Sequence, residues 1–207
     1  MKDDRLEGVA LEGYFHAVVR GGQPLLIDYC TYDNVSRKNI KEAEWRAIMD
    51  KDKGEISFPP ASKIKWSGAD VDDCVEVMKR WSVDLSMANY WIPADSLCET
   101  IDAVAKCKFR NENESRICFL QLTKAKKHKF DADILWRLAQ PFVGKVKVCY
   151  IALMSVKDHD IVADFRLMPA VISHEEISKH IPLYVARYRF ASVESTFEES
   201  QIQAFSN

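Results

Sequence analysis

Runs of apolar positions along the chain predict alternating helices and strands. Apolar residues at helical spacing predict helices over residues 3–19, 38–49, 71–81, 130–138 and 174–180. Segments rich in β-branched and aromatic residues predict strands over residues 25–32, 90–92, 99–108, 116–123, 146–154, 165–167 and 183–190. Residues 51–54 are predicted to form a turn, as are residues 158–160, and the aperiodic segment 57–68 is predicted to form a loop.

The strand over residues 116–123 has an unusual end. Its apolar run from Ile117 to Leu120 leads directly into Gln121 and Thr123. A glutamine amide that is buried without partners costs about 1 to 3 kcal/mol, so Gln121 needs a partner or a function. A basic cluster follows, and we expect it to begin the next helix; it consists of Lys124, Lys126, Lys127, His128 and Lys129.

The preceding strand is predicted to be the partner of this one. Alternation over residues 99–108 places Asp102 on the face shared by Val104 and Lys106. The polar segment 111–115 suits a hairpin loop, which would make the two strands antiparallel and bring Asp102 close to Gln121. A helix and another buried strand follow, so we expect an α/β or α+β fold, with a mixed central sheet and flanking helices.

Composition narrows the class of protein. The 207 residues are 47% hydrophobic and 29% charged, which predicts a single domain over residues 1–191, with an insertion around 34–88 and a frayed tail over 192–207. The formal net charge of −2 means that a polyanion would bind only through a local basic patch. Six cysteines without a C-x-x-C pair favour reduced thiols. We expect no membrane span and an intracellular location, in the nucleus or cytoplasm.

Three oxygen-bearing residues are candidates for a metal site. Phosphodiester hydrolysis with Mg²⁺ needs hard oxygen ligands, and Asp102, Gln121 and Glu12 could supply them, with a lysine to stabilise developing charge. Each also has a structural interpretation: Glu12 as a solvated helix residue, Asp102 as an acceptor in a turn, and the basic cluster as a helix cap. Glu12 and His16 lie four residues apart, which is typical of an ordinary polar helix edge.

Several short motifs carry a family resemblance. They are Tyr90-Trp-Ile-Pro93, Ile101-Asp102-Ala103 and Leu120-Gln121-Leu122-Thr123, followed by His128. This order resembles the restriction-endonuclease-like domain of the Crinkler effectors and the retrotransposon hot spot proteins, a divergent branch of the PD-(D/E)xK nucleases. The resemblance is tightest over residues 90–130 and extends more weakly, in element order, over residues 8–154.

The resemblance implies roles for the candidate residues. Asp102 would be the central ligand of Mg²⁺ or Mn²⁺, Gln121 would replace the usual second acid, and Glu12 would be the acid carried by a helix. The superfamily places a lysine two residues after that second acid, where this chain has Thr123. The catalytic lysine would then be Lys124 or Lys126. Duplex DNA would contact the rest of the basic cluster, which is Lys127, His128 and Lys129.

These observations lead to two functional hypotheses. The first is a Mg²⁺-dependent DNA endonuclease. The second, which Thr123 motivates, is a catalytically degenerate nuclease-fold module that binds nucleic acid or nuclear protein partners. An α/β domain of unrelated function is the third interpretation, and it applies if the strands that carry Asp102 and Gln121 are not neighbours.

Overall fold

A computed structural model describes residues 4–21, 25–32, 53–59, 64–93, 100–110, 112–123, 127–155, 166–168 and 174–188. The helices of this part are α1 (Asp4–Gly21), α2 (Val71–Val83), α3 (Ala132–Ala139), which continues into a 3₁₀ turn (Gln140–Phe142), and α4 (Glu175–His180). The strands are β1 (Leu25–Thr31), β2 (Lys53–Ser57), β3 (Ile64–Ser67), β4 (Tyr90–Pro93), β5 (Ala103–Phe109), β6 (Ser115–Thr123), β7 (Lys127–Lys129), β8 (Lys147–Ser155), β9 (Arg166–Met168) and β10 (Leu183–Tyr188).

Eight of these strands form one mixed sheet in the order β2-β1-β10-β8-β6-β5-β4-β3. The hairpin of β5 and β6 is antiparallel, whereas β6, β8 and β10 run parallel to one another. Strand β2 pairs with both β1 and β5, so the sheet curls back on itself. The fold is therefore mixed α/β, as predicted, and the hairpin of β5 and β6 is confirmed.

Each face of the curled sheet carries its own hydrophobic core. Helix α1 contributes Phe15 and Val19 to one core, against side chains such as Leu120 of β6. Helices α2 and α3 cover the other face, where Trp81 and Leu135 are fully buried. Strands that are apolar on both faces suit this arrangement, because neither face of the central strands meets solvent. The central strand β6 is consequently fixed from both sides.

Two predicted irregular segments contain strands. Residues 64–67 fall within the predicted loop but form β3, which pairs in parallel with β4. Gly54 falls within the predicted turn but lies in β2. Both predictions were wrong at these positions because the strands are short and are stabilised by pairing with distant segments, which local sequence does not encode. Both strands fall in the region expected to be an insertion, and both belong to the main sheet.

The basic cluster does not begin a helix. Its described part, Lys127–Lys129, forms β7, which pairs in parallel with β9 in a separate two-stranded sheet. Helix α3 begins later, at Ala132, and Asp131 caps it by accepting a hydrogen bond from the Ile134 N–H at 3.0 Å. The cap occupies the position at which the helix end would otherwise meet an anion. The helix predicted over residues 38–49, the turn over 158–160 and the tail lie outside the described residues.

The cysteines depart from the expectation of reduced thiols. Cys107 of β5 and Cys118 of β6 form a disulfide on the α1 face of the sheet. The Cys149 sulfur lies 3.4 Å from that of Cys118, in register on the next strand. Cys30, Cys74 and Cys149 are buried outside this disulfide. The hairpin of β5 and β6 brings Cys107 and Cys118 together, and the parallel pairing of β6 with β8 adds Cys149.

No helix in the described part of the chain combines the length and apolar character that a membrane span requires.

Candidate functional site

Helix α1 directs an acid and a histidine toward the sheet. Glu12 and His16 lie one turn apart on the helix, and apolar Phe15 and Val19 anchor the same side in the core. His16 is only 8% exposed, while the Glu12 side chain is 47% exposed. The Nε2 atom of His16 lies 3.5 Å from Glu12 Oε1, an ion-pair distance that is longer than a strong hydrogen bond.

Tyr90, the first residue of β4, completes the anchor of His16. Its hydroxyl lies 2.6 Å from His16 Nδ1, and both groups are buried. The rings of Tyr90 and Phe15 meet the imidazole edge to face, with centroids 5.8 and 6.3 Å away. Burial raises the pKa of Tyr90 far above its usual range, and the carboxylates of Asp102 and Glu12 add to this effect. The phenol therefore stays protonated.

Asp102 stands immediately before β5, beside the end of β6. Its Oδ2 atom accepts hydrogen bonds from the Gln121 amide nitrogen at 2.7 Å and from the Leu122 N–H at 2.6 Å. Its own N–H donates to the Leu120 carbonyl at 2.8 Å. The predicted proximity of Asp102 and Gln121 is confirmed.

The predicted alternation of residues fails at Asp102. Regular alternation would put Ile101 on the face of Ala103, yet Ile101 joins the opposite core together with Val104. The reason is that the strand begins at Ala103 rather than at residue 99, so the regular alternation of side chains does not extend back to Ile101. This irregularity allows Asp102 to interact with groups on the α1 side of the sheet.

The carboxyl group of Asp102 is electrostatically strained. Its pKa is raised from 3.8 to about 6, chiefly by burial and also by the charge of Glu12, while the Leu122 N–H and His16 act in the opposite direction. In contrast, the neighbouring His16 lowers the pKa of Glu12, although its Nε2 atom, 3.5 Å from the carboxylate, forms no hydrogen bond. The charge of Glu12 thus acts on Asp102 from a distant part of the sequence.

Gln121 approaches this cluster from the other side. Along β6 its side chain alternates with Leu120 and so shares the face of Phe119, opposite to the face that α1 covers. It is 4% exposed, and its Oε1 atom is buried without a hydrogen-bond partner. Thr123 lies on the same face and is 5% exposed. The amide nitrogen thus donates to Asp102, while the amide oxygen is buried without a partner on the face opposite to α1.

The structure describes only some of the basic residues that the sequence predicts at the site. Lys124 and Lys126 lie outside the described residues, as does the side chain of Lys127. His128 is half-buried and Lys129 is exposed, both in β7. The nearest described cation on α1 is Arg20, one turn beyond His16, whose charge lowers the pKa of Tyr90. A guanidinium therefore lies within electrostatic reach of the cluster.

Two members of this cluster were not assigned a role by sequence reasoning. His16 was interpreted as part of a polar helix edge, but it is buried, and Tyr90 was noted only as part of a motif. Their contact could not be predicted, since it joins residues 74 positions apart. The only local signal was the spacing of Glu12 and His16, combined with apolar Phe15 and Val19 beside the histidine.

The donor set is small. Within the described ranges, no three His, Cys, Asp or Glu side chains are grouped so as to hold a metal ion. The oxygen donors near Asp102 in the described part of the chain are therefore the carboxylates of Glu12 and Asp102 and the amide oxygen of Gln121.

In comparisons with protein-family models, curated proteins and solved structures, nothing matches this chain.

Proposed function

We propose that this protein is a metal-dependent endonuclease that hydrolyses DNA phosphodiester bonds on a restriction-endonuclease-like fold. The observation that carries the proposal is the contact between the two residues to which the resemblance assigns the central ligand and the second acid: the Gln121 amide nitrogen donates to Asp102 Oδ2 at 2.7 Å. Burial raises the pKa of this carboxyl group, and the charge of Glu12 adds to the effect.

The residues fit Mg²⁺ or Mn²⁺. Both ions prefer oxygen ligands, and a shared cation would offset the mutual repulsion of Glu12 and Asp102. The buried, unpartnered Oε1 atom of Gln121 is a further neutral oxygen beside Asp102. When bound, the ion would supply Lewis-acid activation of the phosphate and of a water molecule.

The protein groups would orient these ligands and the substrate. The Gln121 amide and the Leu122 N–H hold one oxygen of Asp102, which fixes the carboxylate against rotation. The lysine that stabilises the attacking hydroxide would come from the segment directly after Thr123, where Lys124 and Lys126 are the candidates. Lys127, His128 and Lys129 would contact the phosphate backbone of the duplex.

Plasmid nicking tests the proposal. We expect wild-type protein to nick supercoiled DNA with Mg²⁺ or Mn²⁺, and Asp102→Asn to lose on the order of 100-fold or more of this activity. Asparagine keeps an oxygen that can accept the hydrogen bonds of Gln121 and Leu122. Asp133→Asn is the matched control, because the Asp133 side chain is 88% exposed on α3. Equal nicking by wild type and Asp102→Asn would refute the proposal.

Thr123 favours a second candidate function, a degenerate nuclease-fold module that binds nucleic acid or nuclear protein partners. Thr123 is buried at the position where the resembled superfamily has its lysine. This candidate predicts DNA binding whose affinity falls steeply with salt and no cleavage with either metal. Metal-dependent nicking that Asp102→Asn abolishes would exclude it.

A further inference from the structure

We infer that a cavity at the amino ends of β6, β8 and β10 binds the phosphate group of a small ligand. Its volume is about 270 Å³, which gives room for roughly nine water-sized groups. The cavity is separate from the proposed metal site. Arg116, which lines it, and Gln121 lie five residues apart on β6, or about 16 Å along the strand. The inference therefore does not depend on the proposed function.

Basic residues from three elements line this cavity. Arg116 belongs to β6, Lys147 to β8, and Lys179 and His180 to the last turn of α4. The remaining described lining consists of three valines, a glycine and Pro182, and no acidic residue is among the described residues that line it. A cavity with basic and apolar walls suits an anion that carries a small uncharged group.

The two lysines are paired with carboxylates that do not line the cavity. Lys147 Nζ lies 3.2 Å from Glu114 Oε2, and Lys179 Nζ lies 2.6 Å from Glu175 Oε1. All four side chains are at least half-exposed, and exposed ion pairs of this kind contribute only about 0 to 1 kcal/mol. A phosphate group can therefore replace either carboxylate as the partner of a lysine at little energetic cost.

The other two basic residues are held in place by the surrounding structure. The Arg116 side chain is 11% exposed, its Nε donates to Glu112 Oε2 at 2.7 Å, and its guanidinium lies over the Phe109 ring. The imidazole of His180 stacks on the indole of Trp136, with ring centroids 6.0 Å apart. Binding therefore requires the ordering of only the two lysines, which keeps its entropic cost low.

Stabilisation of a helix end accounts for only part of this arrangement. Lys179 and His180 lie in the last turn of α4, where positive charge is favourable in any helix. Lys147 has no such role, because it begins β8, and it lies in register with Arg116 on the neighbouring strand. Like charges directly opposite each other in a sheet are unfavourable, and an anion bound between them would offset their repulsion.

Titration of the full chain with inorganic phosphate, by isothermal calorimetry at constant ionic strength, tests the inference. We expect wild-type protein to bind phosphate, and Lys147→Glu and Lys179→Glu each to weaken this binding by about 10-fold or more, since repulsion replaces a charge-assisted contact. Lys79→Glu is the matched control and should bind as wild type does. Lys79 is 57% exposed on α2 and pairs with a glutamate, as the two cavity lysines do, but it does not line the cavity.

Two results of this titration would overturn the inference. One is the absence of phosphate binding by wild-type protein at millimolar concentration, and the other is an equal loss in Lys79→Glu, which would show a response to net charge alone. A repeat with a short DNA duplex present identifies the source of the phosphate group. Unchanged affinity supports a small ligand, whereas displacement by the duplex would assign the contact to a nucleic-acid backbone and overturn it. Asp102→Asn should bind phosphate as wild type does, so failure of the proposed metal site is seen separately.

Discussion

Asp102→Asn should stabilise the metal-free protein at neutral pH. The wild-type carboxyl is ionised there although burial and the charge of Glu12 both oppose ionisation. Asparagine removes that charge and keeps an oxygen to accept the hydrogen bonds of Gln121 and Leu122. Asp102, which the proposed function requires, would thus lower the stability of the metal-free protein.

The magnitude follows from the change in pKa on folding. The pKa of Asp102 rises from 3.8 to about 6, so at intermediate pH the folded state binds more protons than the unfolded state. Stability from this group is fully present below the unfolded pKa and is lost as pH rises through the folded pKa. The complete loss is about 3 kcal/mol, of which about 2 kcal/mol falls between about pH 4 and about pH 8.

Urea unfolding of both proteins across this pH range, with a chelator present, measures the effect. The free energy of unfolding of wild type minus that of Asp102→Asn should decrease steadily as the pH rises, because the other titrating groups are common to both proteins. Asp133→Asn again serves as the control, and its difference from wild type should show no comparable trend.

A flat difference between wild type and Asp102→Asn would refute the reasoning, since it would mean that Asp102 ionises as easily in the folded chain as in the unfolded one. Adding Mn²⁺ provides a second check. An ion bound at tenfold its dissociation constant should stabilise the wild-type protein by about 1.4 kcal/mol and should leave Asp102→Asn unchanged.

Three substitutions, with Gly13→Ala as a control, test the fold around the site by urea unfolding. Arg187→Ala should destabilise the protein by about 3 to 5 kcal/mol, because it removes the guanidinium that pairs with the buried carboxylate of Asp28 at 2.8 Å. Asp28 is only 1% exposed, and a loss below about 1 kcal/mol would contradict this reasoning. Gly68→Ala should lower the free energy of unfolding by about 1 to 3 kcal/mol, since the φ of Gly68 is +102° and a Cβ there would lie 2.5 Å from the Cys74 sulfur. Gly13→Ala is the control and should not destabilise the protein, because the space around Gly13 is open. Asp70→Ala should cost about 1 kcal/mol by uncapping α2, and unchanged stability would show that water replaces the cap.

Sequence reasoning worked best where periodicity is strong. The boundaries of α1 and α2 and the strand β8 were predicted to within about two residues, since each buries a regular apolar face. It did not identify β3 or β7, which are short and owe their existence to pairing with β4 and β9. The predicted hairpin put Cys107 and Cys118 on neighbouring strands, but the expectation of reduced thiols missed the disulfide between them.

For the candidate site, the sequence by itself determined the residues with unusual chemistry. It identified Gln121 at the end of a buried strand, and the hairpin signal correctly brought it to Asp102. Glu12 was named as an acid on a helix expected to pack against the sheet, and its position relative to Asp102 depends on how α1 crosses the curled sheet. The chain sequence fixes side-chain order within an element, so it could not determine this crossing.

Only the tertiary structure decided which polar groups act on one another. The Tyr90 hydroxyl of β4 lies 2.6 Å from His16 Nδ1 of α1, and the Gln121 amide of β6 donates to Asp102, which stands before β5. Each contact joins different elements, and its energy depends on exclusion of water by the cores. Local sequence determines which groups are present, while the solvent exclusion that gives them their chemistry arises only when the elements pack.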